Sequence, residues 1–173
     1  MMSLSTVFWM LLIIMGIIGA SRGWAREILV LFSLILAMCI TALVQQFLPA
    51  IEGALVAQSP SLQFYARATL FILLAFFGYE GPAISSALAG KGKREKFQDI
   101  LLGFFLGMLN GYLLVGSMWS YMHDANYPLP GVIPPVDPSV LNYLNVMPPH
   151  MVGVPIIYFV TVASFVFVLI VFL

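Results

Sequence analysis

Two histidines, His123 and His150, and the aspartate beside the first, Asp124, have the greatest capacity for chemistry in this chain. Imidazole and carboxylate together are the ligand set of a metal ion or of haem iron. Both histidines flank a proline-rich connection, at or beyond the ends of apolar segments, whereas haem held between helices draws histidines from inside them. We read both as solvated or partner-facing and expect no cofactor. The single cysteine, Cys39, completes neither an internal disulfide nor a thiolate metal site, and reads as a small buried hydrophobe. The carboxylates Glu52, Glu80, Asp124 and Asp137 are scattered among different connections, so no general acid and base can be paired. The stretch "AGKGKREKF" sets glycines beside lysines, but a phosphate loop needs G-x-x-x-x-G-K-[ST]. Ala87 stands where the frame on Gly92 needs glycine, and Arg94 follows Lys93; the frame on Gly90 fails likewise at Ser85 and Gly92. No enzymatic activity is expected and no small-molecule substrate is identified.

These residues are carried by a chain that water would not dissolve. Of its 173 residues, 62% are hydrophobic and only 8% charged, against about 25% charged in soluble domains. Mean hydropathy is +1.05. Bilayer hydrocarbon is the solvent that fits. The net charge of zero leaves no electrostatic footprint for nucleic acid.

A helix needs about 20 apolar residues to cross the hydrocarbon. Five segments come close: Leu4–Ala20, Ile28–Leu48, Leu62–Gly81, Ile100–Met122 and Val152–Leu173. The N-terminus lacks the positive region of a secretory signal, so the first is expected to remain as a span. Pro82 disfavours helix at Gly81; residues 82–90 either continue the third helix past a kink or form a short interfacial one.

Lysine and arginine set the orientation. The first connection holds Arg22 and Arg26, and the third holds Lys91, Lys93, Arg94 and Lys96. The second and fourth hold none. We therefore expect an all-α integral membrane protein, a bundle of about five transmembrane helices with the N-terminus outside and the C-terminus cytoplasmic. The six basic residues serve as a cytoplasmic anchor to anionic lipid, each worth roughly 1 kcal/mol near the surface. Residues 1–122 form a four-helix core, 123–151 a proline-rich extracytoplasmic loop, and 152–173 the last span. Seven prolines in that loop argue against regular helix, and its interspersed apolar residues against disorder. An extended loop lying on the membrane surface or on a partner is expected.

Within the fourth span, Gly103, Gly107 and Gly111 recur every four residues. Such a stripe lets another helix backbone approach closely, from within the same chain or, as the alternative, from another subunit. Asn110 should hydrogen-bond across helices. A conduction path would need more polar partners on that face than Ser117 and Ser120. In "GASRGWARE", Arg22 suits the negative end of the first helix and Glu27 the positive end of the second. Gly19 and Gly23 permit a tight turn with close helices, and Trp24 fits the interfacial aromatic belt. Arg26 opens the second helix, where the dipole does not favour a cation; lipid phosphate, Glu80 or a partner would hold it.

The G-x-x-R-G-[aromatic]-x-R-E pattern on Gly19, Arg22, Gly23, Trp24, Arg26 and Glu27 resembles the first hairpin of the colicin V production family of bacterial inner-membrane proteins. The Asp-x-x-x-Gly-x-x-x-Gly-x-x-x-Gly span on Asp99, Gly103, Gly107 and Gly111 is similar to that family's as well. The resemblance covers roughly the first 120 residues, and the proline loop and fifth span look like an addition. Where family members often carry an aspartate, this chain has Ser5 and Thr6; where a basic residue often precedes the last glycine, it has Asn110. The resemblance implies membrane location and no enzymatic chemistry. Taken with the small mass outside the spans, it leads us to expect a structural or accessory subunit held among other membrane subunits, a respiratory or photosynthetic complex being one candidate host. The alternatives are an export or channel component of the envelope and, from the two histidines, a haem- or quinone-binding subunit.

Overall fold

A computed structural model of the protein describes residues 3–48, 59–79, 96–135 and 137–172, together with residues 50, 53, 54 and 57. Within these the chain is helical, with no strand. The helices are α1 (Leu4–Arg22), α2 (Trp24–Phe47), α3 (Pro60–Tyr79), α4 (Lys96–Asp124), α5 (Pro138–Asn145), α6 (Pro148–Met151) and α7 (Ile156–Phe172). Four of them, α1 to α4, are long and apolar enough to cross a membrane. The last, α7, is apolar throughout but has 17 residues. At 1.5 Å per residue it spans about 25 Å, a little under the hydrocarbon thickness.

The sequence places the elements and misses their ends. The second helix opens at Trp24, a turn before the expected Ile28, because Gly23 alone breaks the chain and Arg26 and Glu27 are absorbed into the first turn. The third starts at Pro60, which needs no donor at a first helical position, and the Ser59 hydroxyl caps it by accepting from the Leu62 amide at 3.1 Å. The fourth runs from Lys96 to Asp124, 29 residues or about 43 Å, and overshoots the hydrocarbon at its ends. Residues 82–90 lie outside the described residues.

The helix α4 is central. It packs most extensively along α1 and also touches α2, α3 and α6, while α7 leans on α2. The long helices turn narrow stripes inward. Phe8 and Leu12 do so on α1, Leu34, Ala37 and Met38 on α2, and Phe64, Ala68, Phe71 and Ala75 on α3 at spacings of three and four. Residues on the other faces, such as Ile17, Phe77 and Phe159, are exposed and apolar, as lipid-facing positions are.

The proline-rich segment is the main departure. It contains two short helices, and it folds back on its own chain. Its prolines fall where helices tolerate them: Pro138 opens α5, and Pro148 and Pro149 open α6. The turn after α4 is made by Asn126 and Tyr127 at φ 56° and 54°. Tyr127, Leu144, Met147 and Pro148 are then buried against the bundle. Gly116 of α4 makes room for this, because a Cβ there would lie 2.7 Å from Pro148 Cδ. The Tyr112 hydroxyl donates to the carbonyl of Val146, and Trp119 Nε1 donates to the Tyr127 hydroxyl at 3.3 Å.

Candidate functional site

The charged hairpin between α1 and α2 is a single residue. Gly23 caps α1 by donating its amide to the Gly19 carbonyl at 3.0 Å, and has φ 86°. That conformation is open to glycine and strained for other residues. A side chain would also meet Asp99, whose two carboxylate oxygens lie 3.2 Å from the position of a Cβ. Asp99, in the first turn of α4, accepts from the Trp24 amide at 3.1 Å. A carboxylate from one helix thus caps the N-terminus of another, satisfying an amide that has no partner within its own helix and placing negative charge at the positive end of α2.

One turn on, Glu27 is 2% exposed. Its Oε1 accepts from Arg22 Nη1 at 3.2 Å, and its Oε2 from Asn110 Nδ2 at 2.8 Å. The same amide nitrogen donates to the Glu27 carbonyl at 2.9 Å. Asn110 is fully buried. A carboxylate taken out of water is tolerable only when paired and hydrogen-bonded, and here α1 and α4 supply the partners.

The glycines allow the helices to come this close. A Cβ on Gly19 would lie 2.3 Å from the Gly103 carbonyl oxygen and 2.7 Å from Gly107 Cα. A Cβ on Gly107 would lie 2.4 Å from the Met15 carbonyl oxygen. Gly111 faces the side chain of Met15 one turn further along. Gly19 is therefore inside α1, on the face that meets α4, and only Gly23 forms the turn.

The other expected site residues are placed as follows. Trp24 is half-buried, and Arg26 is exposed. Lys96 opens α4 at the end of the bundle where Arg22 and Gly23 lie, since Asp99 touches Gly23. Lys91, Lys93 and Arg94, and Glu80 as a partner for Arg26, lie outside the described residues. The two histidines do not converge: the His123 ring packs edge-on against Tyr127, 5.7 Å between centroids, while His150 Nε2 faces Asp124 Oδ1 at 4.0 Å. Asp124 also pairs with Arg67, Nη1 to Oδ2, at 3.1 Å. Among the described residues no three of His, Cys, Asp and Glu cluster as metal ligands would.

Sequence reading did not find the role of Asp99 as a cap for α2, nor Asn110 as the partner of Glu27. An aspartate in one first turn and a lone amide in an apolar helix were visible signals. Neither says which helix lies opposite.

The interlocked residues are those of both sequence motifs. A family model described as colicin V production protein matches residues 4–141.

The chain belongs to that family.

Its match to the colicin V production family extends beyond the first 120 residues, so the proline-rich segment up to Leu141 falls within it and is not an addition. With the apolar helices, membership makes this a multi-pass membrane protein of the colicin V production type. No curated protein and no solved structure matches the chain. At position 110 this chain sets a neutral amide, and the counter-charge to Glu27 comes from Arg22.

Proposed function

We propose that this colicin V production-type protein is a non-enzymatic structural or accessory subunit of a larger assembly in the bacterial cytoplasmic membrane. In this reading it crosses the membrane five times, with the N-terminus outside and the C-terminus in the cytoplasm. One observation carries the role. Both family motifs are spent on joining helices: Gly19 against Gly103 and Gly107, Trp24 on Asp99, and Glu27 on Arg22 and Asn110. Groups that could do chemistry at this site are committed to holding α1, α2 and α4 together. The outward faces of α1 and α7 are apolar, as at Trp9, Ile13 and Ile17 on α1 and Phe159, Val162 and Ile170 on α7. Such faces suit lipid and neighbouring helices. The orientation is supported by Arg22 and Lys96 sharing one end of the bundle.

Purification from native membrane in mild detergent tests the role. A discrete complex with reproducible partners is expected, and a clean monomer without partners overturns the proposal. Ion or peptide flux across proteoliposomes holding the pure chain would instead mark an export or channel component.

A further inference from the structure

At the opposite end of the bundle from the interlocked motifs, a cavity of about 530 Å³ lies between α2, α4 and the segment Pro149–Val154. That volume is within the range of small-molecule sites. Its walls are partly apolar, with Met38 and Ala42 on one side and Val152 and Val154 on another. Its polar groups come from different elements. Ser120 of α4 is fully buried, and its hydroxyl has no hydrogen-bond partner among the described residues. A hydroxyl held out of water without a partner is costly, so a polar atom in the cavity would relieve it. Among the described residues Asp124 is the only carboxylate in the lining. Its Oδ2 is taken by Arg67, which does not line the cavity, while its Oδ1 is left facing His150 Nε2 across 4.0 Å. That gap is too wide for a direct hydrogen bond, and it suits a third atom about 2.8 Å from each.

We propose that this cavity binds a primary ammonium group on an apolar arm, its three N–H donors directed at Asp124 Oδ1, His150 Nε2 and Ser120 Oγ. Asp124 Oδ1 and Ser120 Oγ offer acceptors to a donor, and the Met38, Ala42, Val152 and Val154 walls take the arm. A quaternary ammonium has no N–H to donate and is excluded. Two sources supply this chemistry, an aminophospholipid headgroup of the surrounding bilayer and a free alkylamine.

Native mass spectrometry of the protein from vesicles of equal phosphatidylethanolamine and phosphatidylcholine reads the first source. Calorimetric titration of delipidated protein with hexylamine, against hexyltrimethylammonium, reads the second. Retention of the ethanolamine lipid about tenfold above its trimethylated counterpart is expected, with hexylamine competing for it. Ser120→Ala and His150→Ala should each lower that preference by about two- to threefold, one contact of three, without lowering the thermal unfolding temperature of the protein. Hexylamine binding without lipid preference would assign the site to a free amine. Equal binding of primary and quaternary forms, or no effect of either variant, would overturn the proposal.

Discussion

Asn110 Nδ2 lies 2.8 Å from Glu27 Oε2 and 2.9 Å from the Glu27 carbonyl oxygen, so one amide in the middle of α4 holds both the side chain and the backbone of the first turn of α2. The carboxylate it holds is buried and balanced by Arg22. This small polar centre fixes how α1, α2 and α4 meet.

Removing the amide should therefore cost more than an ordinary surface change. Asn110→Ala leaves Glu27 with one of its two side-chain partners and should lower stability by about 2–4 kcal/mol. Asn110→Asp should be worse, since it sets a second carboxylate against the first. Unfolding in detergent followed by circular dichroism measures both. A cycle with Glu27→Gln should give a coupling of about 1 kcal/mol or more.

Close backbone contact makes a second forecast. Gly107→Ala would place a methyl 2.4 Å from the Met15 carbonyl oxygen, whereas a Cβ on Gly53 meets nothing within 4 Å. The first change should cost about 1–3 kcal/mol in the same unfolding measurement and the second almost nothing. Equal effects would remove the close approach of α1 and α4 as the cause.

Asp99 offers a graded test of capping between helices. Asp99→Asn keeps an acceptor for the Trp24 amide and loses only the charge, so a loss of a few tenths of a kcal/mol is expected. Asp99→Ala loses both, about 1 kcal/mol. Reversal of that order in thermal unfolding would show that the carboxylate does not act as a cap.

Orientation is open to labelling. In a Cys39→Ser background, a membrane-impermeant maleimide added to spheroplasts should reach Asn126→Cys at once and Lys96→Cys only after permeabilisation. The opposite order would invert the topology, and simultaneous labelling would break the alternation of basic and neutral connections.

Much of the architecture was legible in the residues, for a physical reason. A helix in hydrocarbon must satisfy its own backbone and be apolar along most of its length, so composition and run length alone mark Leu4–Arg22, Trp24–Phe47, Pro60–Tyr79 and Lys96–Asp124 within a turn or so. Glycines every four residues announced a close contact by themselves, because only a missing side chain permits one.

The sequence by itself determined that this chain lives in a membrane, where its long helices lie, and which family it resembles. Only the tertiary structure decided what each polar residue is for. Trp24 and Asp99 are 75 residues apart, and Glu27 and Asn110 are 83 apart. Pairings of that range depend on which helix packs against which, and periodicity along one helix carries no record of it. The proline-rich segment shows the same limit from the other side. Its prolines argued against regular helix, yet Pro138, Pro148 and Pro149 sit in the first turns of two short helices, and the room left at Gly116 of α4 lets the segment fold back onto its own bundle.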